Sequence, residues 1–159
     1  MFGRILFVVV AIVSFTVDRI TKIMVEHRLD LGERVHVIGD VLQLVYVRNR
    51  GIAFGFFSDS GSIVVAGTLV VGVLLFVFML QVQPDDLLTI LGGALITGGA
   101  LGNLYDRVSY RYVIDFIHTP NFPTFNVADI SITLGVVAVI LAQLIQLRRE
   151  LHEAKDPES

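Results

Sequence analysis

Three stretches of this chain carry no charged side chain over lengths that match a lipid bilayer: Ser62 to Leu80, Leu87 to Tyr105 and Ile130 to Leu147. About 20 residues of α-helix cross roughly 30 Å of hydrocarbon, so each run is long enough to span. No water is available there to satisfy a free backbone N–H or C=O, which leaves the helix as the natural conformation. A further apolar run, Ile5 to Val17, leads into Asp18, Arg19 and Lys22. Its pattern admits a cleavable signal peptide with Arg4 as the positive region. No small-x-small cleavage site follows, and continuing the helix to about Val25 gives a span with its polar residues near one end. The chain is 54% hydrophobic and only 17% charged, against about a quarter charged for a soluble domain. The expectation is one all-α integral membrane domain over residues 1–159, with spans at about 4–25, 62–80, 87–105 and 127–147.

Composition closes several alternatives. There is no cysteine, which excludes disulfides, thiolate nucleophiles and cysteine-bound metals. His27, His36, His118 and His152 form no zinc-binding spacing, so neither metal nor cofactor is expected. A net charge of −3 without a basic stripe argues against nucleic acid.

Four spans put both termini, and the 81–86 turn, on one side. The opposite side receives two outer loops, about 26–61 and 106–126. Within the first, Arg34–Ile38 and Val41–Val47 are rich in β-formers around Gly39-Asp40, which predicts a small surface hairpin. Basic residues do not fix the orientation. Arg4, Arg148, Arg149 and Lys155 lie on the terminal side, and Arg28, Arg34, Arg48, Arg50, Arg107 and Arg111 on the loop side, so the positive-inside count leans toward loops inside.

This topology gathers the unusual polar residues at the loop-side end of the bundle. Asp18 and Lys22 stand i, i+4 on one helix face and read as a self-neutralising interfacial pair, or as a pair that braces a site or meets lipid head groups. Asn103, Asp106 and Arg107 share a face at the end of the third span. Gly98 and Gly102 form a G-x-x-x-G face, extended by Ala94, that suits close helix packing. Asn126-x-x-Asp129 has an ordinary reading as a helix N-cap with a dipole-favoured acid. At a bilayer, however, the third helical position lies about 4–5 Å below the helix start, moving a carboxylate toward hydrocarbon. Asp115 interrupts the apolar pentad from Val113 to Ile117, and Pro120 and Pro123 restrict the following loop enough to fold it back toward Asp129. Two acids on one side of the bilayer suggest a shared proton and an activated water.

Two other chemistries fit parts of the pattern. A serine–lysine pair of Ser14 with Lys22 is separated by about 12 Å along one helix, too far for proton transfer, though loop serines such as Ser58 remain unplaced. A small transporter or channel using Asp115, Asp129 and Arg107 would need polar groups across the midplane, and these cluster at one face.

Four blocks together resemble the bacterial lipoprotein signal peptidases (signal peptidase II). Asp18-Arg19-Ile20-Thr21-Lys22 is similar to D-Q-x-S/T-K, and Asn49-Arg50-Gly51-Ile52-Ala53-Phe54-Gly55 to N-x-G-x-A-F-G. The run from Gly98 to Arg107 is similar to G-G-A-x-G-N-x-x-D-R. Val113-Ile114-Asp115-Phe116 and Phe125-Asn126-Val127-Ala128-Asp129 are similar to V-x-D-F and F-N-x-A-D. The resemblance covers about residues 4–148. Arg19 departs from the usual Gln, and Arg111 stands where a Gly usually precedes the V-x-D-F block. The resemblance implies Asp115 and Asp129 as a catalytic dyad. It implies that Asn49, Gly51, Asn103, Arg107, Asn126 and Ala128 line or order the site, with Asp18, Lys22 and Asp106 in support. It further implies a monomer in the bacterial cytoplasmic membrane, termini inside and site near the outer face. The implied partners are membrane lipids and a prolipoprotein whose lipobox Cys carries diacylglycerol.

Overall fold

A computed structural model describes residues 2–50 and 86–153. Its elements, in chain order, are α1 (Phe2–Arg28), β1 (Arg34–Ile38), β2 (Leu42–Asn49), α2 (Leu87–Tyr110), β3 (Val113–His118) and α3 (Val127–Glu153). The expected span at 62–80, and Gly51, lie outside the described residues. Each described helix begins at or before its expected start and runs beyond its expected end.

The three helices pack together through α2, which contacts both α1 and α3. Buried positions on α1 are Ala11, Ser14, Asp18, Lys22 and Val25, spaced three and four apart along one face. The opposite face exposes Ile5, Val8, Val9, Ile12, Val13, Val17, Ile20 and Ile23. Polar groups inward and aliphatic groups outward invert the soluble pattern, as expected where the surroundings are lipid. Among the described residues, Leu87–Tyr110 and Val127–His152 are long and apolar enough to cross a bilayer.

Glycines set how closely the helices approach. A Cβ on Gly98 would stand 2.5 Å from the Ala11 carbonyl oxygen and 2.6 Å from the Ser14 Cβ. The G-x-x-x-G face therefore packs α2 directly on the backbone of α1.

The expected hairpin is present as β1 and β2, but it is completed by a third strand from the second outer loop. The sheet is antiparallel with order β1-β2-β3. Asp115 thus sits within β3 rather than in an irregular loop, because the apolar β-rich run around it finds an edge of β2 to pair with. Strand alternation then divides the side chains of β3. Ile114 and Phe116 pack with Val25 and Tyr46 on one face of the sheet. Asp115 is sent to the other. Beyond β3 the chain folds back at the prolines: Phe125 N–H donates to the Ile117 carbonyl at 3.0 Å, and Ile117 N–H returns to the Phe125 carbonyl at 2.8 Å. That return delivers Asn126 beside Asp115.

Candidate active site

Asn126 is the hinge of the site. It is fully buried and immediately precedes the first residue of α3. Its Oδ1 accepts from the Asp129 N–H at 3.0 Å, and its own N–H donates to Asp129 Oδ2 at 3.1 Å. This is a reciprocal capping box with Asp in the acidic position. The ordinary helix-cap reading of Asn126-x-x-Asp129 is therefore correct. It leaves Asn126 Nδ2 unused by the cap, and that amide donates to Asp115 Oδ1 at 2.7 Å. The two aspartates, one on a strand and one on a helix, meet on a single asparagine.

Each carboxylate has a further donor. Asp115 Oδ2 accepts from Asn49 Nδ2 at 2.9 Å. Asn49 pairs with Val113 at the end of β2 and is thus a same-face diagonal neighbour of Asp115. Asp129 Oδ1 accepts from Asn103 Nδ2 at 2.8 Å. Burial pushes the Asp115 carboxyl up to about 7, and the Asp129 charge adds to this, while the Asn49 and Asn126 hydrogen bonds oppose it.

Behind the pair lies a charged cluster in a space closed to solvent. Lys22 is fully buried: its Nζ forms ion pairs with Asp18 Oδ2 at 2.8 Å and Asp106 Oδ2 at 3.0 Å, and it donates a hydrogen bond to Asn103 Oδ1 at 2.9 Å. Asn103 Oδ1 also receives Asn126 Nδ2 at 3.1 Å, so the asparagine amide is oriented from both ends. Asp18 Oδ1 accepts the Ala128 N–H at 2.9 Å, joining α1 to the first turn of α3. Asp106 Oδ2 accepts the Ile114 N–H at 3.1 Å, joining α2 to β3. Asp18 and Lys22 form the expected i, i+4 ion pair, and each also joins α1 to a neighbouring element. Ala128 is fully buried, and a Cβ on Gly99 would stand 2.5 Å from its carbonyl oxygen. Arg107 donates to the Asn103 carbonyl at 3.4 Å, and its charge acts on Asp129 and Asp115.

All the expected site residues that the structure describes thus converge, whereas Ser14 stays apart. Its hydroxyl is buried near Gly98 and has no hydrogen-bond partner among the described residues. Among the described residues no group of three or more His, Asp or Glu is arranged to hold a metal ion.

Two features were not legible as site features. Arg19 reads in the sequence as a departure from a motif, yet its Nη1 donates to Asp106 Oδ1 and its Cζ lies 4.4 Å from the Tyr105 ring centroid. Arg48 lies over Tyr46 and Tyr112 at 5.3 and 5.0 Å, and its Nε donates to the Tyr46 hydroxyl, which donates to Glu26. That assembly ties the end of α1 to β2 one residue before Asn49. The strand alternation placing Tyr46 and Arg48 on one face was the available signal.

Comparison with known proteins identifies relatives over most of the chain. A family model described as signal peptidase (SPase) II matches residues 10–145. A lipoprotein signal peptidase from Shouchella clausii is 40% identical over 149 residues, covering 92% of this chain and 98% of its own. One from Clostridium acetobutylicum is 37% identical over 153 residues, covering 93% and 98%. A solved structure described as a bacterial membrane enzyme obtained by the in meso method at 2.3 Å resolution superposes with a TM-score of 0.82. It is 31% identical and covers 89% of this chain and 88% of its own.

Proposed function

The chain belongs to the signal peptidase II family, and we propose that it is an intramembrane aspartic endopeptidase that removes the signal peptide from diacylglyceryl-modified prolipoproteins. Cleavage falls just before the lipidated Cys. The single observation that supports this reading most is the bridging of Asp115 and Asp129 by Asn126, inside a buried polar network at one end of an otherwise apolar bundle.

The proton of the pair resides on Asp115. Its site is poor in water and faces the Asp129 charge, so protonation there relieves both costs. Asp129, held by Asn103 and the Asn126 N–H, takes a proton from a water lying between the two. The water oxygen attacks the scissile carbonyl carbon as Asp115 gives its proton to the carbonyl oxygen. Collapse of the tetrahedral intermediate breaks the C–N bond as the proton on Asp129 passes to the leaving amine of the Cys and a hydroxyl proton of the intermediate returns to Asp115. Two carboxyls bridged by one asparagine and coupled through their charges titrate as a unit, and their apparent pKa values belong to the pair. Arg107 supplies positive charge on the same side, suited to carbonyl groups of the bound peptide.

The chain crosses the bacterial cytoplasmic membrane four times in this reading, with both termini in the cytoplasm and the sheet at the outer face. The diacylglyceryl tails lie among the spans and the peptide runs beneath the sheet. The test is a gel-shift assay with a diacylglyceryl prolipoprotein and its unlipidated form. Purified wild type is expected to shorten only the lipidated form. Asp115→Asn and Asp129→Asn, still folded and membrane-inserted, are expected to leave it uncut. Full activity in either variant refutes the dyad.

A further inference from the structure

Resting on the aspartic reading above, we infer that Arg19 is a positioning residue for the reaction: it neutralises Asp106 and so leaves Lys22 to hold the Asn103 amide against Asp129.

The path is continuous. Arg19 Nη1 pairs with Asp106 Oδ1, and Asp106 Oδ2 takes Lys22 Nζ. Lys22 Nζ donates to Asn103 Oδ1, and Asn103 Nδ2 donates to Asp129 Oδ1. A plain interfacial arginine would extend its head to water. This one has a side chain 11% exposed, with its guanidinium near the rings of Tyr105 (4.4 Å) and Tyr110 (5.9 Å). The aromatic faces and the carboxylate hold the cation at one place.

Charge counting shows why that matters. Asp18, Asp106 and Lys22 are fully buried and together carry one excess negative charge; Arg19 cancels it. Without Arg19 the ammonium faces two carboxylates, with one negative charge uncompensated among the three groups, in a low-dielectric space. It is drawn toward them and away from the neutral Asn103 amide. An asparagine held at its oxygen end by Asn126 Nδ2 alone presents its own Nδ2 to Asp129 in a less fixed direction. The other titratable groups facing this cluster are Glu26 on α1, Tyr105, Arg107 and Tyr110 on α2, Asp115 on β3 and Asp129 on α3.

The test uses purified full-length protein and the lipidated prolipoprotein. Wild type, Arg19→Gln and Arg19→Lys are compared in kcat, KM, thermal unfolding and the pH dependence of kcat/KM. Arg19→Gln is expected to lose about tenfold in kcat per folded molecule with KM within about twofold, since the side chain does not touch substrate. Its pH profile is expected to be displaced by about half a unit or more. Arg19→Lys keeps a cation beside Asp106 and is expected to stay within about threefold of wild type, with an unmoved profile. The inference is overturned if Arg19→Gln matches wild type in kcat and profile, if its loss is accounted for by the unfolded fraction alone, or if Arg19→Lys falls more than about tenfold. The last outcome decides even if Arg19→Gln does not fold. Asp115→Asn and Asp129→Asn run alongside. Activity in either removes the dyad, whereas inactive dyad variants beside a normal Arg19→Gln remove this inference alone.

Discussion

Asn49→Ala separates the acid–base assignment from mere stability. Asn49 Nδ2 donates to Asp115 Oδ2 at 2.9 Å and favours the charged carboxylate, opposing the burial that pushes this group to about 7. Asn49 is half-buried at the end of β2, so water can partly replace the lost donor. The net value of such a bond is then about 1 kcal/mol, below the range for fully buried charged pairs. At about 1.4 kcal/mol per pH unit, its removal raises the Asp115 pKa by roughly half to one unit. On the proposed mechanism Asp115 acts in its protonated form, so the alkaline limb of kcat/KM is expected to move upward by that amount relative to wild type. The assay is the initial rate of lipidated prolipoprotein cleavage at limiting substrate from about pH 5 to 9. An unmoved alkaline limb, or one moved downward, refutes the assignment of the proton to Asp115, whatever happens to the rate at the optimum.

Three other outcomes follow from the same contacts. Lys22→Met strands the buried Asp18 carboxylate and is expected to cost about 3–5 kcal/mol, read as a lowered unfolding midpoint in detergent, with a smaller loss when Asp18→Asn is added. Gly98→Ala places a methyl group 2.5 Å from the Ala11 carbonyl oxygen, where backbone cannot yield without separating α1 from α2; a loss of about 3 kcal/mol is expected in the same measurement. Arg111→Gly is expected to stabilise by about 1 kcal/mol, because Arg111 ends α2 with φ 66° and ψ 14°, a left-handed cap that a Cβ disfavours.

The Arg111 geometry also explains a sequence observation. The turn before Val113 requires the left-handed conformation, its N–H donating to the Arg107 carbonyl at 3.1 Å. Glycine at this position, the family's usual residue, adopts it without strain. Arginine keeps the turn at a modest cost.

Much of the frame was written in local pattern. Charge-free runs of bilayer length dictate helices, and a glycine repeat dictates close packing of α2 on α1, because both effects act within a few turns of one segment. Asn126 and Asp129 were legible as a helix cap for the same reason. What the linear pattern could not fix is which distant groups share a space. Asp115 as a member of β3 depends on an edge that β2 provides from the other outer loop. Arg19 as the fourth charge of a buried, neutral cluster depends on Asp106, 87 residues away. Electrostatic balance in a buried interior is a property of the assembled packing, so the tertiary structure alone decided which ions face each other and which acids share one asparagine.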